Sequence, residues 1–380
     1  MQRSLNRILT THTGSLPRPG DLVDLMLKDL EKPGSQRAAL EAATNVAVSA
    51  AVRQQVESGV DVINDGEQGR PDYTAYIKDR LTGFDGPSAP PIGSWGSEFP
   101  ELQEMLQMFI SPFQHRPACS GPLAWKDWAG SEADILRAKT ATVGSGAVEA
   151  FMTSPSPGQI ARYLKNQHYP SDEAYLYALA DVMRREYKAI IDAGMVLQVD
   201  CPDLALSRHT MFAHLSLAEF RKEINLHVEA LNHSLKGLPA DRIRAHICWG
   251  STMAPHHKDV PLKDVVDIVL RAHVGAITYP AATPSHEHEW KVWREVKLPD
   301  GMVIVPGVID STHNTIEHPE VVADRIVRIA QVVGRANVIA GTDCGFGTFA
   351  GRTQVDRKIV WMKLAVLAEG ARRASKQLWQ

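Results

Sequence analysis

The chain of 380 residues is 44% hydrophobic and 22% charged, with a formal net charge of −3. This composition suits a globular protein with a large core and gives no electrostatic basis for binding nucleic acid or an anionic membrane. The N-terminal MQRSLNRILTTHTGS has no apolar core of signal-peptide length, no run approaches the roughly 18 apolar residues of a membrane span, and four cysteines make no disulfide framework. A reducing, cytoplasmic setting and a small-molecule partner are therefore expected.

In chain order, short β-rich apolar runs predict strands near 8–13, 60–65, 147–152, 195–200, 243–248, 275–280, 303–309 and 337–342. Helical periodicity predicts helices between them. One spans Gln36–Ser58 and stops at Gly59; another spans Ser171–Ala193, with Asp172 and Glu173 in its first turn and Gly194 after it. Leu217–Leu235 follows a Ser216 cap with Glu219 three residues on, a capping-box pattern, and Leu262–Ala272, Pro319–Val333 and Val355–Ser375 complete the set. Strand then helix, eight times over, predicts a single (β/α)8 barrel across residues 1–380. An open doubly wound sheet is the competitor, but no glycine fingerprint follows an early strand.

The alternation breaks between residues 70 and 147, where GFDGPSAPPIGSWGS and the tryptophans 95, 125 and 128 occur. This stretch reads as an ordered excursion after the second strand, with a small sheet of its own, folded over the barrel mouth or serving as a partner surface in a homo-oligomer. An interface there would cover Trp95, Trp125 and Trp128.

Barrel enzymes carry their active sites at the C-terminal ends of the strands. Those ends read Thr13-Gly14-Ser15, Asp65-Gly66-Glu67, Thr153-Ser154, Asp200-Cys201-Pro202, His246 with Cys248, Tyr279-Pro280, Asp310 to Asn314, and Thr342-Asp343-Cys344. His246 and Cys248 are two apart on a strand, so their side chains share a face. With Cys344 they form an imidazole and two thiolates, donors that zinc selects, and three protein ligands leave a coordination position open. The plainer alternative is two buried cysteines and a surface histidine. His256-His257 resembles a metal pair, but adjacent residues do not share a face, and a solvated loop is the expectation there. Cys119 is expected to be structural, and Trp249 to pack over the metal or fill the rim.

The segments THTGSLPRP, NDGEQGRPDY, LQVDCPDLA, HICWGS, GTDCGFG and WMKLAVLAEGARRASKQLW, in this order over almost the whole length, resemble the catalytic barrel of cobalamin-independent methionine synthase and its single-domain relatives, which include epoxyalkane:coenzyme M transferases. The resemblance implies zinc on His246, Cys248 and Cys344, binding a substrate thiol as its thiolate for attack on an alkyl carbon. It implies that Ser15, Glu67 and Asp200 hold the amino-acid part of homocysteine. The two carboxylates suit an ammonium group or acid–base work.

Three positions depart from the family pattern. Pro280 stands where a glutamate would be a fourth zinc ligand, and proline cannot ligate; the nearby His286-Glu-His-Glu289 is the candidate substitute. Cys201 replaces an acidic residue beside Asp200, and is a candidate substrate contact, nucleophile, extra zinc ligand or small buried residue. His313 is the candidate for the acid histidine after the seventh strand, one or two residues out of register. The resulting expectation is zinc-dependent alkyl or methyl transfer from an alkyl donor to a small thiol. Folate is doubtful as donor, because the synthase half that helps to hold it has no counterpart here. With the glutamate gone, a zinc lyase or hydrolase is the alternative, since a more Lewis-acidic metal favours water as nucleophile. A third reading is a binder that has lost the metal.

Overall fold

The computed structural model describes residues 1–87, 98–107, 111–113, 115–352 and 354–380. Its frame is a ring of eight parallel strands: β1 Leu9–Thr10, β2 Val62–Ile63, β3 Glu149–Pro155, β4 Val196–Asp200, β5 Ile243–His246, β6 Ala276–Tyr279, β7 Val303–Ile309 and β8 Ile339–Thr342. Each pairs with the next from β2 to β8, β8 pairs with β1, and a parallel bridge from Thr11 to Val62 closes the ring. Every strand lies within or overlaps its predicted run, and the architecture is the (β/α)8 barrel.

Side-chain alternation explains how the barrel is filled. Leu197, Val199, Ile243 and Ala245 are buried in the large core cluster shared with the surrounding helices. Their neighbours face the other way, inside the ring. Leu9, Ala276, Val303, Val305 and Ile339 pack together there, as do Val62, Phe151 and Val196, with Met1 against both groups. Above this apolar floor lies a polar layer. Arg244 donates to Gln198 Oε1 (2.8 Å), Thr11 Oγ1 (3.1 Å) and the His12 carbonyl (3.0 Å), while its guanidinium stacks 3.8 Å from the Phe151 ring. One step further along the same strands, Asp200 and His246 reach the cavity at the C-terminal mouth.

The helices follow local chemistry where caps are strong. Ser171 accepts from Ala174 N and starts Asp172–Asp192, which ends before Gly194 at φ +91°, a conformation glycine adopts without strain. Leu217–Leu235 begins with the predicted capping box, Ser216 and Glu219 each bonding the other's backbone N–H. Ser216→Ala is expected to cost about 1 kcal/mol, read as a lower urea midpoint at unchanged slope. An unchanged midpoint would mean that tertiary packing alone holds this end.

Other helices differ from expectation. Leu262–Ala272 is reduced to a 3-10 turn, Leu262–Asp264, and one helical turn, Val266–Val269. Leu262, Val265, Val266, Ile268 and Val269 are all buried, while Lys263, Asp267 and Arg271 are exposed, so the amphipathic pattern that predicted a helix is kept although regular helix covers only one turn. The last helix, Arg357–Leu378, starts later than Val355 because Asp356 is its cap, accepting from Lys358 N, and it runs past Ser375. Gly20–Glu31, Trp128–Thr142 and Pro157–Tyr163 are helices that periodicity did not reveal.

Between residues 70 and 147 the described residues form the helices Ile77–Arg80, Pro100–Gln107 and Trp128–Thr142, with isolated bridges Leu81–Trp125 and Gly86–Ala118 in place of the expected small sheet. Turn-rich chain here pairs one residue at a time. Trp125 donates to the Val182 carbonyl (2.9 Å), packs edge-on against Trp128, and Arg185 sits over the Trp128 ring, so both tryptophans rest on the helix Asp172–Asp192. Trp95 lies outside the described residues. Among those residues, no helix is long and apolar enough to cross a membrane.

Candidate functional site

A cavity of about 250 Å³ opens at the C-terminal mouth, lined by Ser15, Glu67, Asp200, His246, Cys248 and Cys344 among others. The ligand atoms of His246, Cys248 and Cys344 all lie within 4.8 Å of one another. His246 ends β5 and is 3% exposed, and neither of its ring nitrogens has a hydrogen-bond partner. An imidazole buried with both nitrogens idle forfeits its hydrogen bonds unless something absent from the protein chain binds it. Cys248 and Cys344 face each other at 3.9 Å, and that contact together with burial raises the Cys344 thiol well above its ordinary range. Two adjacent thiolates are unfavourable without a cation, so this donor set fits zinc, with Cys2His ligation and an open fourth position.

The surroundings hold the three residues in place. Gly250 N donates to Cys248 Sγ (3.2 Å). Trp249 is buried, donates to the Val260 carbonyl (2.7 Å) and stacks on His286 at 4.3 Å. Next to Cys344, Asp343 accepts from the backbone N–H groups of Ala281, Ala282 and Thr283 (2.8, 2.9 and 2.8 Å), which pins the loop that begins at Pro280. No carboxylate joins the cluster from that loop.

His286 and Glu289, the candidate substitute, are used elsewhere. His286 Nε2 and His256 Nδ1 both donate to Asp259 Oδ2 (2.9 and 2.8 Å), and His209 Nδ1 lies 3.1 Å from Asp259 Oδ1. Burial works against protonating His286, yet Asp259 and Glu289 outweigh it and hold the imidazole at about 9. Asp259, His256 and His286 also converge within 4.8 Å, but Asp259 bonds both imidazoles and leaves only His286 Nδ1 without a partner, whereas both nitrogens of His246 are idle. His256 is thus half-buried rather than solvated: a left-handed backbone at φ +56° turns its ring back onto Asp259. His257 does lie toward solvent, bonded to Glu98 at 2.7 Å.

Glu67 and Asp200 form the acidic wall. Glu67 is 2% exposed, accepts from Thr153 Oγ1 (3.0 Å), and leaves Oε2 without a partner. It adopts φ +54°, a strained conformation for a non-glycine residue, held by Asp65 Oδ1 accepting its N–H at 3.0 Å and by Arg18 donating to its carbonyl at 2.8 Å. Gly14 is required opposite, since a Cβ there would lie 2.5 Å from Glu67 Oε1. Burial, then the Asp200 charge, push the Glu67 carboxyl up to about 8, despite Arg70 and Arg18. Burial likewise raises Asp200 to about 6, opposed by His246 and by the 2.8 Å bond from Gln198.

The sequence matches the family described as "Cobalamin-independent synthase, Catalytic domain" over residues 8–102 and 121–366. The chain belongs to that family. It is 25% identical over 377 residues to the methionine synthase of Saccharolobus solfataricus, covering 97% of this chain and 95% of that one. The methionine synthase of Sulfolobus acidocaldarius is 24% identical over 375 residues, with 97% and 93% covered. The fold is shared with a B12-independent methionine synthase from a Shewanella species in complex with selenomethionine, at a TM-score of 0.70 and 19% identity over 98% of this chain and 99% of that chain.

Within this family member, two candidate residues lie off the cavity. Cys201 follows Asp200, so alternation turns it outward: its thiol is buried and donates to the Val199 carbonyl. Burial raises it far above the ordinary thiol range, as for a packed residue, and it is not among the residues that line the cavity. His313 has a side chain 57% exposed and bonds to Asp310 (3.0 Å) and Thr312 (2.7 Å), because Asp310 draws the loop after β7 onto itself through Thr312. It is not among the residues that line the cavity. Cys119 is buried and donates to the Gly121 carbonyl, in keeping with a structural role. Sequence reasoning missed Tyr73, Arg116, Arg162, His209 and Arg352, which do line it. Only Tyr73 lay in a quoted motif, and nothing in the spacing of the others pointed inward.

Proposed function

We propose that this chain transfers a methyl or other alkyl group from a donor to the sulfur of a small thiol, with zinc held by His246, Cys248 and Cys344. Membership of the cobalamin-independent synthase family makes it a transferase. The relatives named methionine synthase support a methyl group and a homocysteine-like thiol. The observation that carries the reading is the buried, unpartnered His246 converging with two thiols.

In the reaction the S–C bond forms as the bond between the alkyl carbon and its carrier breaks, so the thiol proton must leave first. Zinc held by His246, Cys248 and Cys344 would lower the thiol pKa so that the proton passes to solvent while the sulfur stays nucleophilic. The chain's own residues do the rest. Glu67 and Asp200 receive the ammonium of an amino-acid thiol, and Ser15 adds a hydroxyl beside them. Glu67 bears an idle oxygen and a raised pKa, so a bound cation would draw it to the carboxylate. The excursion contributes Tyr73 and Arg116 to the lining of the cavity.

To test this, zinc-loaded protein is incubated with L-homocysteine and a panel of methyl donors that includes S-methylmethionine and methyltetrahydrofolate, and products are read by mass spectrometry. Methionine formed only when both partners are present is the expected result. Donor consumption at the same rate without thiol would overturn it and point to water as nucleophile.

A further inference from the structure

We infer that the cavity contains a second subsite, formed by Arg116, Arg162 and Arg352, that binds an anionic group, a carboxylate, sulfonate or phosphate, on one of the two substrates. The three guanidinium groups come from separate segments: the excursion after β2, the helix Pro157–Tyr163 after β3, and the loop after β8. All line the same cavity as the His246, Cys248 and Cys344 cluster. Arg116 and Arg162 are 8% and 5% exposed, and Arg352 is half-buried.

What neutralises them within the protein is meagre. Among the described residues none of the three forms an ion pair within 4.0 Å of a carboxylate. Arg116 donates to the Tyr163 hydroxyl (2.8 Å) and lies 3.6 Å from the centre of that ring; its Nε has no partner. Arg162 donates to Thr210 Oγ1 at 3.3 Å, and Arg352 to Gln354 Oε1 at 3.3 Å, again with an idle Nε on Arg352. Asp72, which acts on Arg116, is already engaged by the backbone N–H groups of Thr74 and Ala75 and by the Tyr163 hydroxyl, and Asp203, which acts on Arg162, is held by Ser156 and His227. Burial lowers the pKa of Arg162 and Arg352, the direction that marks desolvated cations short of counter-charge.

Buried guanidinium groups that line one cavity are costly unless an anion joins them, and their planar forks match carboxylate, sulfonate and phosphate oxygens in two-point fashion. Charge in the cavity is thereby divided. The acidic wall of Glu67 and Asp200 meets a cationic group, and the arginine wall meets an anionic one. Assigning the anion to a substrate rests on the alkyl-transfer reading above; its binding does not.

The test separates the two. Propane-1-sulfonate and butyrate carry no thiol, so calorimetric titration of the protein with each reads the subsite without alkyl transfer. Both are expected to bind, and 1-butanol to bind more weakly. Arg116→Met and Arg352→Met should each weaken anion binding by about tenfold or more, the worth of a charge-assisted hydrogen bond. Circular dichroism establishes that the variants are folded. Should Arg116→Met prove unfolded, Arg352→Met, from a half-buried position, carries the test. Anions binding no better than 1-butanol, or equally well to folded variants, would overturn the subsite. A second arm identifies the source: zinc-loaded protein is titrated with 2-mercaptoethanesulfonate and with 2-mercaptoethanol. If Arg116→Met weakens only the former, the anion belongs to the thiol; if it weakens neither while butyrate binding falls, the anion belongs to the alkyl donor. Absent transfer activity with intact anion binding would remove the alkyl-transfer reading and leave the subsite standing.

Discussion

Purified without chelator, the protein is expected to carry zinc in a one-to-one ratio, and Cys248→Ser and Cys344→Ser are each expected to lose it while remaining folded. The two thiols and His246 are the only donors converging on that point among the described residues, and Pro280, at the end of β6, has no group that can ligate a metal. With three ligands, loss of any one leaves too few to hold the ion. Metal affinity should fall by more than about 100-fold, since even the outer hydrogen-bond partners of a ligand are worth 10–100-fold. Thiol alkylation should fall with it. Elemental analysis and a zinc-chelator competition read the first effect, and product formation from homocysteine the second. Full zinc retention in both variants would remove the metal from this site, and attention would pass to Glu67 and Asp200 as a metal-free pair.

Glu67→Gln is expected to flatten the fall in stability with rising pH while damaging substrate binding. In the folded chain the Glu67 carboxyl titrates at about 8, raised by burial and by Asp200, whereas in the unfolded chain it titrates near its ordinary value of 4.5. Between these values the folded state keeps a proton that the unfolded state has released, so the unfolded state binds fewer protons and stability declines as pH rises. The decline attributable to this carboxyl is on the order of 2–3 kcal/mol between pH 5 and 7.5, and it disappears in the glutamine variant. The gap between variant and wild type should therefore widen with pH, which denaturant titrations at several pH values would reveal. The same variant should raise KM for homocysteine by about 10- to 100-fold, the worth of a charge-assisted hydrogen bond to ammonium. Parallel pH curves would show that Glu67 is ionised throughout, and an unchanged KM would place the ammonium elsewhere.

His12 presents the opposite dependence. Burial lowers it to about 3, and it sits neutral between Gln55 Oε1 (2.7 Å) and Gly14 N (3.2 Å). Its contribution is present above the unfolded value of 6.5 and is lost as pH falls toward 3. The wild type should therefore be most stable at an intermediate pH.

Much of this site could be read from residue order because a barrel turns chain position into spatial position. A residue at the C-terminal end of a strand faces the mouth whichever strand carries it. Ser15, Glu67, Asp200, His246, Cys248 and Cys344, ending five different strands, accordingly line one cavity. Alternation also explains Cys201: one residue past Asp200, it points the other way. His313 lies off the cavity for a different reason. Its loop is long enough to fold on Asp310, and no strand periodicity governs where such a loop aims its side chains.

The sequence by itself determined the eight strands, the strong helix caps and the donors at the strand ends, because period and capping act over a few residues. Only the tertiary structure decided the rest. It brought Arg116, Arg162 and Arg352 to one cavity from separate segments, and it gathered His209, His256 and His286 around Asp259. These contacts join residues far apart in the chain on loops and helices whose side chains obey no short repeat. What set them was the cost of burying charge: each cation, once desolvated, had to meet either an anion of the protein or one that a substrate brings.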